Sequence, residues 1–421
     1  MLWWRGMYSG RSNAWPASAT APTGSTAAQR CLTCTFQACR WLHGRAQARN
    51  HRGNLPAHLG YTPGGFSLYR QARLCYNRCN IALFVGPEWI GCMKSGTKSH
   101  LWTFEEALAL VCDESQALAR SVVAFLSGAG RAEVSRFAEC WRDMSDERRR
   151  ELISLMAEMA ESDFELDFND IFRWSLRAED PVVRERAIEG LWEDDRPALI
   201  EPLVRMMKED PAEGVRAKAA ISLGRFALQA ELGELSEERA RQVREGLLEV
   251  IARRSESDEV RRRAIEAVAY LSEVPLEEII TEAYTSPNER MRQSAVFAMG
   301  RTADTRWAAE VRAELRSPSP AMRYEAARAA GEISLKSAAG QLIRMLKDPD
   351  SEVRQMAAWA LGQVGGEHAR RALEACQSSD DEAMREAAED ALAELDFGTG
   401  DLDMFYFEAE GEPGEGPSGK G

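Results

Sequence analysis

The chain has 421 residues, 44% of them hydrophobic and 29% charged, with a formal net charge of -14. This is a foldable composition long enough for two or three domains or one long repeat array, not a fibrous or low-complexity chain. No run of 18 apolar residues occurs, which excludes a membrane-spanning helix.

The charge is unevenly placed. Residues 1–92 hold ten Arg, no Lys and one acidic residue, Glu88, a net of about +9. The rest holds 43 basic and 66 acidic side chains, about -23, and such a body repels a phosphate backbone. Nucleic acid is therefore not an expected partner.

Residues 1–92 show neither the helical nor the strand period. Three readings are open: an extension that is disordered or not natively translated, ahead of a start at Met93; an Arg-rich transit peptide; or a metal module on Cys31, Cys34 and Cys39 with Cys75 and Cys79. The missing core around those cysteines favours the first. Cys112, Cys140 and Cys376 are far apart within helical patterns, which predicts isolated core thiols in a reducing, cytoplasmic setting.

Residues 93–177 are expected to form a helical cap, with apolar stripes at Val134, Phe137, Cys140 and Trp141 and at Leu152, Leu155, Met156 and Met159. From 178 to 396 the chain repeats about seven times. An apolar-Arg pair recurs at Val183-Arg184, Val215-Arg216, Val260-Arg261, Met291-Arg292, Met322-Arg323, Val353-Arg354 and Met384-Arg385, the last four steps being 31 residues each. Four residues after each apolar marker stands Ala187, Ala219, Ala264, Ala295, Ala326, Ala357 or Ala388, and a further small residue follows three later. Offsets of 0, 4, 7 and 8 make one helix face, and its small residues let neighbouring helices approach closely.

Asp180-Pro181, Asp210-Pro211, Ser317-Pro318 and Asp348-Pro349 are expected to cap the starts of these inner helices. Gly224, Gly300, Gly331 and Gly362 are expected where the helices turn or end. Outer helices carry larger apolar residues, as in Leu199-Ile200 with Leu203, Val204 and Met206, or Leu342-Ile343 with Met345-Leu346. The predicted fold is all-α, a right-handed α-solenoid of stacked antiparallel helix pairs over about 134–396.

The block from Asp348-Pro349 through Val353-Arg354, Ala357 and Ala360 to Leu361-Gly362 resembles the short HEAT-like repeats of the phycobilin-lyase type, found in bacterial scaffold proteins. The resemblance covers roughly 178–396. It implies a superhelix and, as an alternative function, an accessory subunit or chaperone related to phycobilin lyases.

The repeated Arg184, Arg216, Arg261, Arg292, Arg323, Arg354 and Arg385 could meet acidic partners or tie adjacent repeats together, and strict recurrence favours the tie. Partner recognition is expected where repeats differ, at offsets 2 and 6 from the marker. Phe297, Tyr324, Arg328 and Trp359 there have the composition of a binding hot spot on a concave face. A cover over the gap between inner helices is the competing reading for Phe297 and Trp359.

Two histidines in the body, His100 and His368, are too few for a His-based metal centre, and no His-Glu pair of the di-iron type occurs. No phosphate loop or nucleophile elbow is present. The expectation is a non-catalytic scaffold without a cofactor, binding a protein or peptide. Residues 225–245 read as an insertion in a loop or outer helix, and 397–421 as an acidic disordered tail holding an aromatic motif at 402–407.

Overall fold

The computed structural model describes residues 102–163 and 165–399. The basic extension, His100 and the 402–407 motif lie outside the described residues. The described residues form eighteen α-helices and no strand. They divide in sequence between Asp304 and Thr305 into two compact units.

The first unit opens with α1 (Phe104–Cys112), α2 (Arg120–Val123), α3 (Arg131–Asp143) and α4 (Asp146–Ser162). It continues through α5 (Asn169–Ser175), α6 (Pro181–Gly190), α7 (Ile200–Glu209) and α8 (Glu213–Glu231). It ends with α9 (Glu237–Ala252), α10 (Asp258–Val268), α11 (Leu276–Tyr284) and α12 (Glu289–Arg301). Two layers result: α4, α6, α8, α10 and α12 pack in series as the inner layer, while α3 packs on α5 and α7 on α9 in the outer one. The second unit contains α13 (Ala308–Glu314), α14 (Pro320–Glu332), α15 (Ala339–Met345), α16 (Ser351–Val364), α17 (Glu367–Cys376) and α18 (Glu382–Thr399). Here α14, α16 and α18 pack in series, with α15 on α17. This is an α-solenoid architecture, in which no helix pair covers its own apolar face and each neighbour supplies the missing side.

The period in the sequence becomes core. Val183, Ala187, Val215, Ala219, Val260, Ala264 and Ala295 are all fully buried, as are Ala326, Ala357 and Ala388 in the second unit. Helix starts are set by short polar caps: Thr103 and Glu106 form a capping box on α1, and Ser145, Ser236 and Ser257 accept first-turn N–H groups of α4, α9 and α10.

The structure revises the expected caps, glycines and cysteines and decides between the two readings of the insertion. Only Asp180 caps the helix that its proline opens. After Asp210-Pro211 the helix starts at Glu213, after Ser317-Pro318 at Pro320, and after Asp348-Pro349 at Ser351 with Asp350 as its cap. These dipeptides form the turn before the helix, and their acidic side chains are used elsewhere, as described below.

Gly224 lies in the middle of α8, whereas Gly300, Gly331 and Gly362 fall in the last turns of α12, α14 and α16 without being the residues that end them. Close packing accounts for two of them. A Cβ on Gly331 would lie 2.5 Å from the Trp359 ring, and one on Gly362 would lie 3.0 Å from the Ala391 carbonyl oxygen. The left-handed positions fall just beyond, at Ala303 (φ 52), Ser334 (φ 50) and Gly365 (φ 73).

The insertion is helix, not loop. It lengthens both members of one pair, α8 to 19 residues and α9 to 16. The added length is anchored, since Phe226 and Ala227 are fully buried and Glu231 accepts from the backbone N–H and Oγ of Ser272 at 2.9 and 2.7 Å.

Cys112 and Cys140 are not isolated thiols. α1 and α3 pack together, bringing their Cα atoms to 6.1 Å, and the two sulfurs form a disulfide. Cys376 is the free thiol among the described cysteines.

Candidate functional site

Two side-chain systems run along the inner layer: an arginine ladder at the turns and a row of polar and aromatic residues on the helices. The ladder starts from an Arg at the second position of the apolar-Arg pair, which the helix points back over the turn that precedes it. In α6, Arg184 donates through Nη1 to the carbonyls of Ala178 and Glu179, both at 2.7 Å. Its Nε and Nη2 reach forward to the two carboxylate oxygens of Asp210, both at 2.8 Å. Asp210 in turn accepts the backbone N–H of Ala212 at 2.9 Å, and its carbonyl takes Nη1 of Arg216 at 2.9 Å.

The pattern recurs. Arg216 pairs with Glu256 at 2.9 Å; Arg323 holds Asp348 at 2.8 and 2.7 Å while donating to the Ser317 and Pro318 carbonyls; Arg354 donates to the Asp348 carbonyl and to Asp381 at 2.7 Å. Arg385 donates to the Ser379 carbonyl at 2.7 Å. Burial favours the neutral form of Asp348, but the Arg323 hydrogen bonds, the Asp350 N–H and the Arg354 charge prevail and hold its carboxyl below the ordinary range. Arg184, Arg216, Arg323 and Arg354 thus bind their own turn and the next one, a fork geometry that lysine cannot reproduce.

Arg150 was missed by reasoning from the repeat, because α4 lacks the apolar-Arg pair. Its Nε donates to Asp180 at 2.5 Å, while Arg149 beside it donates to the Trp141 and Arg142 carbonyls at 2.9 and 3.1 Å. Two arginines share in the cap what one does elsewhere. The signal was on the acceptor side: Asp180 opens an Asp-Pro pair with no apolar-Arg pair upstream.

The variable row on the inner helices is largely satisfied within itself. Glu189 takes Lys218 at 2.5 Å and Arg186 at 2.6 Å. Glu266, 6% exposed, accepts from Ser294 Oγ at 2.5 Å, Arg263 at 2.9 Å and Arg262 at 3.3 Å. Burial raises the Glu185 carboxyl against the opposing charge of Lys218.

The four residues expected as a hot spot fall in different settings. Phe297, in the first unit, is 6% exposed and lies under Arg301, whose guanidinium also faces Tyr270, both rings at 5.3 Å. Arg328, in the second unit, is 3% exposed and donates to Glu325 at 2.7 Å and Glu332 at 3.0 Å. Burial disfavours its charge, and the two carboxylates outweigh that penalty. Trp359 is half-buried with its ring across Gly331, the cover between inner helices. Tyr324 is half-buried, and burial with the nearby Glu325 pushes its hydroxyl up to about 12. Of the four, Phe297 and Arg328 are packed away rather than presented, while Tyr324 and Trp359 keep surface.

Among the described residues no group of His, Cys, Asp and Glu is arranged to hold a metal ion, and no helix is long and apolar enough to cross a membrane.

The architecture defines an α-solenoid repeat protein. Residues 170–252 and 308–393 match the family described as HEAT repeats. No curated protein sequence matches the chain. Solved structures with a similar fold include a designed armadillo repeat protein, at 20% identity over 47% of this chain and 99% of that one, TM-score 0.33. Human deoxyhypusine hydroxylase shares 20% identity over 70% of this chain and 96% of its own, TM-score 0.30. Yeast importin-beta shares 14% over 69% of this chain and 46% of its own, TM-score 0.40.

Proposed function

We propose that this chain is a non-catalytic scaffold or adaptor that binds a protein or peptide along the inner-helix face. The observation that carries this reading is the contrast between two rows on the same helices. The ladder and the small-residue face recur from repeat to repeat, whereas the residue six after the marker changes from Glu189 to Ile221, Glu266, Phe297, Arg328, Trp359 and Asp390. A periodic requirement for stacking explains the first row and not the second. The charges of the variable row are mostly paired locally, so it offers hydrogen bonds and aromatic surface without a strong field. That suits a polypeptide better than a phosphate chain. The phycobilin-lyase likeness adds an accessory role by resemblance alone, and the contrast between rows supports the scaffold.

A photo-crosslinking residue tests this when placed at half-buried Tyr324 or Gln355 and, as control, at exposed Arg344 on α15. The expected result in extract of the source cells is a discrete protein adduct from the first two positions and none from the control. Equal adducts from all three positions, or from Arg344 alone, would refute the inner-face reading.

A further inference from the structure

The ladder is incomplete in a patterned way. Arg150, Arg184, Arg216, Arg323 and Arg354 each reach a carboxylate in the next turn, at Asp180, Asp210, Glu256, Asp348 and Asp381. Arg261, in the first unit, does not. The turn ahead of Arg261 carries Ser286-Pro287 where the turns ahead of Arg184 and Arg323 carry Asp210-Pro211 and Asp348-Pro349.

Ser286 occupies the acidic residue's place in detail. Its carbonyl accepts Arg292 Nη1 at 2.9 Å, as the carbonyls of Asp210 and Asp348 accept Arg216 and Arg354. Its Oγ accepts the backbone N–H of Asn288 at 3.2 Å, the bond that Asp210 and Asp348 make to residues two further on. Only the negative charge is missing. Arg261 instead donates to the Ile251 carbonyl at 3.1 Å and lies 3.7 Å from the exposed carboxylate of Glu282. Asp258 is engaged by the Asn288 amide at 2.8 Å. Ser286 keeps partial exposure.

We propose that Ser286 is a phosphorylation site whose phosphate completes the ladder by taking the Arg261 guanidinium. The Oγ of Ser286 attacks the terminal phosphorus of a nucleoside triphosphate held by a serine/threonine kinase that accepts proline after its target. The Oγ–P bond forms, the bridging bond to the β-phosphate breaks, nucleoside diphosphate leaves, and the hydroxyl proton passes to the kinase's base. A phosphoserine carries close to two negative charges and three acceptor oxygens, and displaces the loose Glu282 contact with a charge-assisted fork.

The test uses the full chain, such a kinase with ATP, and a peptide of residues 280–292 as a control for kinase action. Tandem mass spectrometry is expected to place phosphate on Ser286, and the melting temperature to rise by about 2–4 °C. Arg261→Gln is expected to abolish that rise while leaving the phosphate. Ser286→Asp supplies an arm independent of the kinase: it raises the melting temperature of the parent chain and not of Arg261→Gln. A labelled peptide beside an unlabelled chain overturns the proposal. So does a rise, by phosphate or by Ser286→Asp, that is absent in the parent or persists without Arg261.

Discussion

At the scale of single residues the ladder rests on forks such as Arg323 with Asp348. Replacing Asp348 with Asn keeps the acceptor for the Asp350 N–H and removes the charge. The cost at neutral pH is expected to be about 2 kcal/mol, measured by urea unfolding. Because the folded carboxyl is held below its ordinary range, its stabilisation is full above about pH 4 and is lost as pH falls through the depressed value. The parent should therefore lose stability on acidification that Asp348→Asn lacks. If both chains show the same acid limb, the fork contributes nothing.

The arginines were legible because each is followed by Ala at a constant helical offset. Asp210 and Asp348 were legible as turn residues but not as acceptors, since an acidic residue before proline has the same pattern whether it caps its own helix or receives a neighbour's guanidinium. Offset 6 lies at the edge of the packed face, so the sequence alone points Arg328 to the surface. Its angle is set by its own helix, whereas its burial depends on how far Glu325, Glu332 and neighbouring elements close over it.

At the scale of elements, two sequence features acquired different meanings. Glycines that look like terminators became contact points, with Gly331 under Trp359 and Gly362 against the Ala391 backbone. Four helix ends are followed by a left-handed residue, which is glycine at Gly233 and Gly365, while Ala303 and Ser334 accept the steric cost. Composition carries no trace of that choice. The pairing of Cys112 with Cys140 was equally hidden, because it depends on α1 and α3 lying side by side and not on spacing.

The disulfide closes a loop of sequence separation 28 and ties α1 to α3. Its reduction, or Cys112→Ser, should destabilise this end of the first unit by roughly 3 kcal/mol. Limited proteolysis should then cut first between α1 and α2, at the exposed residues around Glu114–Gln116. Unchanged cleavage after verified reduction would show that helix packing alone secures α1.

At the scale of the whole molecule, the all-helical repeat architecture was readable because its information is redundant: one 31-residue rule is written several times. The candidate surface was less readable because its information is written once at each position. Departures from a rule can be found by alignment of the repeats, but whether a departure is presented or packed depends on its neighbours.

The turn at Asp348 receives Arg323 through its carboxylate and Arg354 through its carbonyl, so three successive segments share one joint. Removal of residues 336–366, one full period, brings the Asp381 turn to where Arg323 expects an acceptor. The shortened chain should remain folded, with helical circular dichroism reduced only in proportion to its length, whereas an excision of about 20 residues out of period should collapse the signal of the second unit. Loss of structure in both would show that the joints are individually fitted. Parts that share a common coupling can be added or withdrawn without redesigning the rest. A chain built this way can change its reach by whole modules while each module remains free to carry a different face.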